Sequence, residues 1–143
     1  MVIRKLEEKD INTVVELWYN VSVQAHDFIS SEYWAKHKYA MRTQYLPDSE
    51  SFLAVEEGRI VGFVSMLDTY LAAIFVHIDS QGAGIGKNLL EHVKGFHETI
   101  QLKVYKKNTA SVQFYLKQKF VIVSEEAEES TNEIEYLMEW KKQ

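Results

Sequence analysis

Three glycines spaced two residues apart lie between an apolar run and a helical pattern. The segment reads Gln81-Gly82-Ala83-Gly84-Ile85-Gly86-Lys87, and the apolar run before it extends from Leu71 to Val76. Glycine lets a ligand approach the backbone closely, and N–H groups at the start of a helix favour a phosphate. The segment therefore predicts a phosphate-binding loop at residues 81–87.

Two well-known phosphate-binding loops do not fit this segment. The dinucleotide fingerprint needs G-x-G-x-x-G with an acidic residue about twenty positions later, where the following strand offers Lys103 instead. The P-loop needs a Gly where Gln81 stands and a hydroxyl residue where Asn88 stands. The pattern that does fit is (R/Q)-x-x-G-x-(G/A), matched by Gln81, Gly84 and Gly86.

Hydrophobic periodicity along the chain predicts an α+β fold with a mixed sheet. Apolar alternation or continuously apolar runs indicate strands, and apolar residues recurring every three or four positions indicate helices. An antiparallel first half followed by a β-α-β crossover favours one mixed sheet. The predicted strands are residues 2–6, 51–55, 60–67, 71–76, 100–105, 120–123 and 134–140, and the predicted helices are residues 11–21, 31–45, 88–96 and 109–116.

Several residues carry predictions about local structure. The near-continuous apolarity of Leu71 to Val76 predicts a strand that is buried on both faces. Asp10 is a candidate N-cap for the first helix, and Pro47 is expected to end the second. Phe96 is expected to face inward from the third helix, whereas Ser124 to Asn132 is interpreted as an acidic loop.

Composition excludes several classes of function. The 143 residues suit a single domain, and the chain has no cysteine and no paired histidine spacing, so no metal site is expected. A net charge of −5 argues against a broad nucleic-acid surface. No apolar run approaches the roughly 18 residues that span a membrane, and no leader is visible, so the prediction is a soluble cytoplasmic protein.

At this point the sequence resembles the GCN5-related N-acetyltransferase (GNAT) superfamily. The resemblance extends from Val2 to about Trp140 and is strongest over Ile74 to Leu90 and over Asn108 to Phe120. The segment Ala25 to Ser30 is similar to that of small bacterial acetyltransferases with a His-Asp-Phe segment. This resemblance implies a twisted mixed sheet of about seven strands with four helices, whose central strands are splayed for CoA.

The resemblance also implies which residues bind acetyl-CoA. The backbone of the strand at residues 71–76 would pair with the pantetheine arm, and an N–H of Phe75 or Val76 would be the oxyanion donor. Tyr115 corresponds to the general acid that protonates the departing thiolate. Asn108 corresponds to a cofactor contact and can also cap a helix. The implied cofactor-binding residues are Ile74, Phe75, Val76, Gln81, Gly82, Ala83, Gly84, Ile85, Gly86, Lys87 and Asn108.

The acceptor side is predicted from less diagnostic residues. His26, Asp27, Phe28 and Trp34 are candidate substrate contacts, although an aromatic-rich helix face is equally typical of core packing. His26 is also a tentative base, because the pKa of histidine lies near neutrality.

Two departures from the family pattern leave the identity of the general base open. Many relatives carry Glu where this chain has Lys103, and the His-Asp-Phe subgroup often offers a carboxylate where this chain has Ala72. His26, Asp27 and Asp68 remain as candidate bases.

The favoured function is acetyl transfer from acetyl-CoA to a primary amine of a small molecule or peptide by direct attack. The alternative is a non-catalytic or weakly active acyl-CoA-binding module. A homodimer is a further expectation, since relatives are often dimers.

Overall fold

The computed structural model describes all 143 residues and shows one seven-stranded sheet. The strands are β1 (Val2–Lys5), β2 (Glu50–Glu56), β3 (Arg59–Leu67), β4 (Tyr70–Val76), β5 (Thr99–Tyr105), β6 (Val121–Ala127) and β7 (Ile134–Lys141). The main helices are α1 (Ile11–Ala25), α2 (Ser31–Lys36), α3 (Ile85–Lys94) and α4 (Thr109–Lys117). Short helical turns cover Glu8–Asp10, Lys38–Ala40, Met41–Tyr45, Leu46–Asp48 and Ile78–Ser80. The predicted α+β fold with seven strands and four helices is confirmed.

The strand order places the parallel pair in the middle of the sheet. The order is β1-β2-β3-β4-β5-β7-β6, and every neighbouring pair is antiparallel except β4 and β5. Parallel neighbours cannot be joined by a tight turn, so the chain crosses from β4 to β5 through α3. The glycine segment lies in this crossover, directly after β4.

Two apolar clusters cover the two faces of the sheet. On one face, α1 and α2 pack through Val15, Trp18 and Trp34 against the sheet residues Phe63 and Tyr105. On the other face, α3 and α4 bury a second set against the sheet: Ile85, Leu89, Leu90, Val93, Val112 and Tyr115. The sheet therefore separates an α1 face from an α3 face.

The burial predicted for β4 is wrong. Leu71 and Ala73 are buried, but Ala72 is exposed and the residues from Ile74 to Val76 are only half-buried. The reason is that β5 leaves β4 after its first residue, so the rest of β4 borders an open cleft. An apolar run in the sequence does not distinguish a strand inside a core from a strand beside a cleft.

Helix and strand ends also correct the sequence-based expectations. Phe96 lies beyond the end of α3 and is 61% exposed, stacked on Phe52 with ring centroids 5.9 Å apart. Strand β6 continues to Ala127, so the first part of the predicted acidic loop is an exposed edge strand. Pro47 lies inside the turn Leu46–Asp48, where the first residues of a helical turn tolerate proline.

Asp10 precedes α1 as predicted, but its side chain does not cap that helix. Its carboxylate accepts two hydrogen bonds from the Arg4 guanidinium, at 2.8 and 3.1 Å, and one from the N–H of Glu7 at 3.0 Å. The hydrogen bonds from Arg4 are the main reason that the pKa of Asp10 lies below its ordinary value. The buried carboxylate thus fixes β1 to the start of α1.

Candidate functional site

An open cleft of about 880 Å³ lies where β4 and β5 separate. The only residue pair that joins the two strands is Tyr70 with Gln101, and the N–H of Gln101 also donates to the carbonyl of Thr69 at 3.0 Å. The cleft is lined by both faces of the molecule, from Trp18 on α1 to Tyr115 on α4.

An extra residue in β4 accompanies this separation. In the β3–β4 ladder, Ser65 pairs with Ala73 and Met66 pairs with Leu71, so Ala72 is unmatched. A bulge of this kind increases the local twist of a strand. Ala72 marks the point beyond which β4 has no partner on the β5 side.

Only some backbone groups of β4 face the cleft. The N–H of His77 donates to the carbonyl of Val61 at 2.7 Å, and bonding alternates along an antiparallel ladder. Phe75 therefore directs its N–H toward β3, whereas Ile74 and Val76 direct theirs into the cleft. Of the two predicted oxyanion donors, only Val76 therefore presents its N–H to the cleft.

The glycine loop supplies a row of free donors beside that strand edge. Gly82 and Gly84 have φ of 84° and 83°, a left-handed conformation that side chains disfavour. The backbone N–H groups of Gly82 to Lys87 donate no hydrogen bond within the protein. Converging unpaired N–H groups at a helix N-terminus suit a phosphate group, so this loop fits the pyrophosphate of CoA.

The other loop residues have distinct positions. The Gln81 side chain donates from Nε2 to the carbonyl of Val76 at 3.1 Å and ties the loop to β4. Gly86 faces the ring of Phe114, which a methyl group there would contact at 3.5 Å. Ala83, alone among the seven predicted loop residues, does not line the cleft.

Asn108 connects the two faces of the site. Its Oδ1 accepts from the N–H of Ser111 at 3.3 Å and caps α4, while its Nδ2 lies 3.2 Å from His26 Nε2. His26 Nδ1 lies 3.1 Å from the carbonyl of Ser22. Because a carbonyl only accepts, Nδ1 carries the proton and Nε2 accepts from Asn108. Burial lowers the pKa of His26, which agrees with this neutral form.

Tyr115 lies at the inner wall of the cleft. Its ring is buried between Phe114 and Phe120, with centroid distances of 5.3 and 5.6 Å. Tyr115 lines the cleft, and its hydroxyl is accessible and forms no hydrogen bond within the protein. Burial raises the pKa of Tyr115 well above its ordinary value, so the hydroxyl keeps its proton. A protonated phenol facing the cleft can donate a proton there.

The predicted acceptor residues come together only in part. His26 stacks on Trp34 with ring centroids 5.0 Å apart, and both residues line the cleft. Phe28 packs edge-on against Tyr105 at 5.6 Å and supports the wall from behind. Asp27 is exposed and lies outside the lining. The candidate base Asp68 lies in a separate pocket with His97.

Comparison with known proteins identifies the family of the chain. Residues 5–138 match the family described as the acetyltransferase (GNAT) domain. The chain belongs to the GNAT acetyltransferase family. It is 32% identical over 140 residues to the peptidyl-lysine N-acetyltransferase YiaC of Escherichia coli, covering 97% of this chain and 96% of YiaC.

Solved structures agree with this assignment. The solution structure of the apo form of YjaB from Escherichia coli superposes with a TM-score of 0.84 at 26% identity, covering 97% of both chains. The PaiA N-acetyltransferase of Thermoplasma acidophilum, solved in complex with coenzyme A, superposes with a TM-score of 0.80 at 21% identity. That alignment covers 99% of this chain and 98% of PaiA, and it shows the shared fold. The chain is an N-acetyltransferase of this family.

Two residues of this GNAT domain were not singled out from the sequence. Tyr70 and Glu135 both line the cleft, and Glu135 is the only carboxylate that does so. Burial is the main reason that the pKa of Glu135 is raised. The alternation of β7 indicates the face on which Glu135 lies, but a sequence pattern does not show that this face borders the cleft.

The structure contains no group of three or more His, Cys, Asp or Glu side chains arranged to hold a metal ion. None of its helices combines the length and the apolarity that crossing a membrane requires.

Proposed function

We propose that this chain transfers the acetyl group of acetyl-CoA to lysine side chains of proteins or peptides. Residues 1–143 would form one N-acetyltransferase domain, with the cytoplasmic location that the sequence predicts. The observation that carries it is one cleft that combines the unpaired N–H groups of Gly82 to Lys87, the open edge of β4 and the Tyr115 hydroxyl. The similarity to a peptidyl-lysine N-acetyltransferase supports the choice of acceptor.

The donor would be held by backbone groups. The N–H groups of Gly82 to Lys87 would bind the pyrophosphate, and the α3 dipole would add to this attraction. The outward backbone groups of Ile74 would pair with a pantetheine amide as a neighbouring strand would, which leaves the N–H of Val76 free for the reacting thioester. Gln81 holds the carbonyl of Val76, and thereby fixes the distance between loop and strand. Acetyl-CoA supplies an activated thioester.

Two groups of this chain would act on the reacting atoms. The N–H of Val76 would stabilise the carbonyl oxygen as it becomes negative during attack by the amine. The Tyr115 hydroxyl would give its proton to the departing sulfur, since a phenol is protonated at neutral pH and burial, which raises the pKa of Tyr115, keeps it so. Both groups face the same cleft, which agrees with direct transfer from donor to acceptor.

The acceptor would enter from the α1 face. We further propose that the chain belongs with the small bacterial acetyltransferases that have a His-Asp-Phe segment, and the packing of His26 and Phe28 at this end of the cleft supports this. Trp34 would contact the aliphatic part of the lysine side chain, while His26 would position Asn108 and Trp34 rather than act as a base. Asp27 would contact only residues of the acceptor outside the cleft.

The test uses two N-terminally blocked peptides that differ only in one residue, lysine or arginine. Thiol release from acetyl-CoA is followed with a thiol-reactive dye, and acetylation is followed by mass spectrometry. We expect thiol release and acetylation with the lysine peptide alone. Turnover with free N-termini or polyamines but not with lysine would refute the acceptor. Binding of acetyl-CoA without any thiol release would favour the alternative, an acyl-CoA-binding module lacking a carboxylate at Lys103 and Ala72.

A further inference from the structure

The cleft contains a single carboxylate, and we propose that Glu135 is the base that takes a proton from the incoming lysine ammonium. This inference rests on the proposed lysine acetyltransfer. Direct attack needs a neutral amine, whereas a lysine side chain is an ammonium at neutral pH. A group that accepts this proton within the cleft is therefore required for fast transfer.

Glu135 lies on the acceptor side of the cleft. It is the second residue of β7 and pairs directly with Tyr105 in the β5–β7 ladder, so the two side chains share a face of the sheet. Tyr105 packs within the α1 cluster, 5.3 Å from the ring of His26. Glu135 is thus on the face from which the acceptor enters, opposite the α3 face that holds the glycine loop.

The competing candidate bases are engaged or distant. His26 has no free lone pair, because Nδ1 donates to Ser22 and Nε2 accepts from Asn108. Asp27 and Asp68 do not line the cleft. Lys103, which lines the cleft where many relatives carry Glu, cannot serve as a base while it is an ammonium. The carboxylate absent at Lys103 is instead present one strand farther along, on β7.

The surroundings of Glu135 increase its basicity. Burial raises its pKa most, the Lys103 cation opposes this rise, and the Glu128 and Glu126 carboxylates add to it. Glu126 is the direct partner of Glu135 in the β6–β7 ladder and also lies 4.0 Å from Lys103. The titratable groups facing Glu135 are Lys103 and Tyr105 on β5, Tyr70 on β4, Tyr33 on α2, Glu126 on β6 and Glu128 in the β6–β7 loop.

The protons balance across the transfer. The lysine ammonium gives one proton to the Glu135 carboxylate, and the amine nitrogen then bonds to the thioester carbon as the carbon–sulfur bond breaks. The nitrogen loses a second proton to solvent, and the thiolate takes the Tyr115 proton. Glu135 then releases its proton to solvent, and Tyr115 regains one. Each transfer therefore releases one proton overall.

The test compares Glu135→Gln with the matched control Glu126→Gln. Both variants remove one carboxylate from the same face, but Glu126 is exposed and does not line the cleft. For Glu135→Gln we expect kcat to fall about 100-fold at pH 7 with unchanged affinity for acetyl-CoA, as for loss of a general base. The deficit should shrink as rising pH deprotonates the lysine peptide. Glu126→Gln should keep kcat within about threefold of the original enzyme.

The pH profile separates proton transfer from simple attraction of the ammonium. The original enzyme should lose kcat/KM as pH falls through the pKa of Glu135, which gives its pH profile an acidic limb. The profile of Glu135→Gln should lack this limb. Lys103→Met should move the limb to higher pH, because it removes the opposing cation. A limb that persists in Glu135→Gln, or a loss confined to KM and equal to that of Glu126→Gln, would overturn the proposal. Lack of lysine acetylation by the original enzyme would instead refute the proposed function.

Discussion

Replacing Gly84 by alanine tests the glycine loop quantitatively. Gly84 has φ of 83°, and a Cβ built there meets no atom within 4 Å, so the cost of the substitution is backbone conformation alone. A left-handed conformation costs an ordinary residue about 1–2 kcal/mol. If the loop keeps its shape, the melting temperature should fall by about 3–8 °C for a domain of this size.

If the loop of Gly84→Ala relaxes to another conformation in the free protein, CoA binding must restore the left-handed conformation and is weakened by the same free energy. Affinity for CoA should then weaken by about 5- to 30-fold, since about 1.4 kcal/mol corresponds to a factor of ten. The unfolding free energy of the CoA complex should fall by about 1–2 kcal/mol in either case. Denaturant unfolding with and without CoA, together with calorimetric titration, measures both parts.

Gly86→Ala provides the control for this experiment. Gly86 does not have a positive φ, and its added methyl group would contact Phe114 at an ordinary 3.5 Å. Its stability should be retained, so a loss of CoA affinity would report obstruction of the ligand rather than strain. Unchanged stability and unchanged CoA affinity in Gly84→Ala would refute the reasoning about the left-handed loop.

Three further substitutions test other parts of the structure. Tyr115→Phe should lower kcat about 100-fold in steady-state assays. Its calorimetric affinity for CoA should not change, because phenylalanine keeps the ring that packs between Phe114 and Phe120 and CoA would be held mainly by backbone groups of other residues. Asn108→Ala should cost about 1 kcal/mol in urea unfolding, since it removes the cap of α4. Asp10→Asn should cost about 1–3 kcal/mol at pH 7. This difference should vanish as pH falls through the lowered pKa of Asp10, where the original carboxylate is also neutral.

Each of these has a contrary outcome. Full turnover by Tyr115→Phe would show that the Tyr115 hydroxyl is not the general acid. An Asn108→Ala variant as stable as the original chain would show that the α4 cap contributes nothing measurable. A destabilisation of Asp10→Asn that is constant from pH 7 to pH 2 would show that the charge on Asp10 is not its cause.

The sequence was sufficient to predict the seven strands, the main helices and the phosphate-binding loop, but not every element boundary. The strands and helices follow from periodicities of two and of three to four, and these periodicities persist because each element buries one face. Glycine at positions 82 and 84 permits the left-handed conformation found there, which other residues disfavour, although the spacing alone does not distinguish these two from Gly86. The cap at Asn108 was likewise predictable, because an Asn side chain bonds locally whatever its distant surroundings are.

The features that the sequence could not predict depend on how distant strands pair in the sheet. Phe75 and Val76 are adjacent apolar residues, and only the pairing with β3 decides which N–H faces the cleft. The unmatched Ala72 changes the β3–β4 register and is not visible in composition. Glu135 looks like any polar residue in an alternating strand, and its importance depends on two strands separating elsewhere in the sheet.

Because Tyr70–Gln101 is the only residue pair between β4 and β5, the sheet consists of two separately hydrogen-bonded halves joined at one end. One half contains β1 to β4 and the other contains β5, β7 and β6. A ligand pairing with the edge of β4 would link the two halves at the open end, so its binding energy would also oppose their separation. Hydrogen exchange at Ile74 and Val76 should therefore slow with ligand concentration more than exchange at residues of β1.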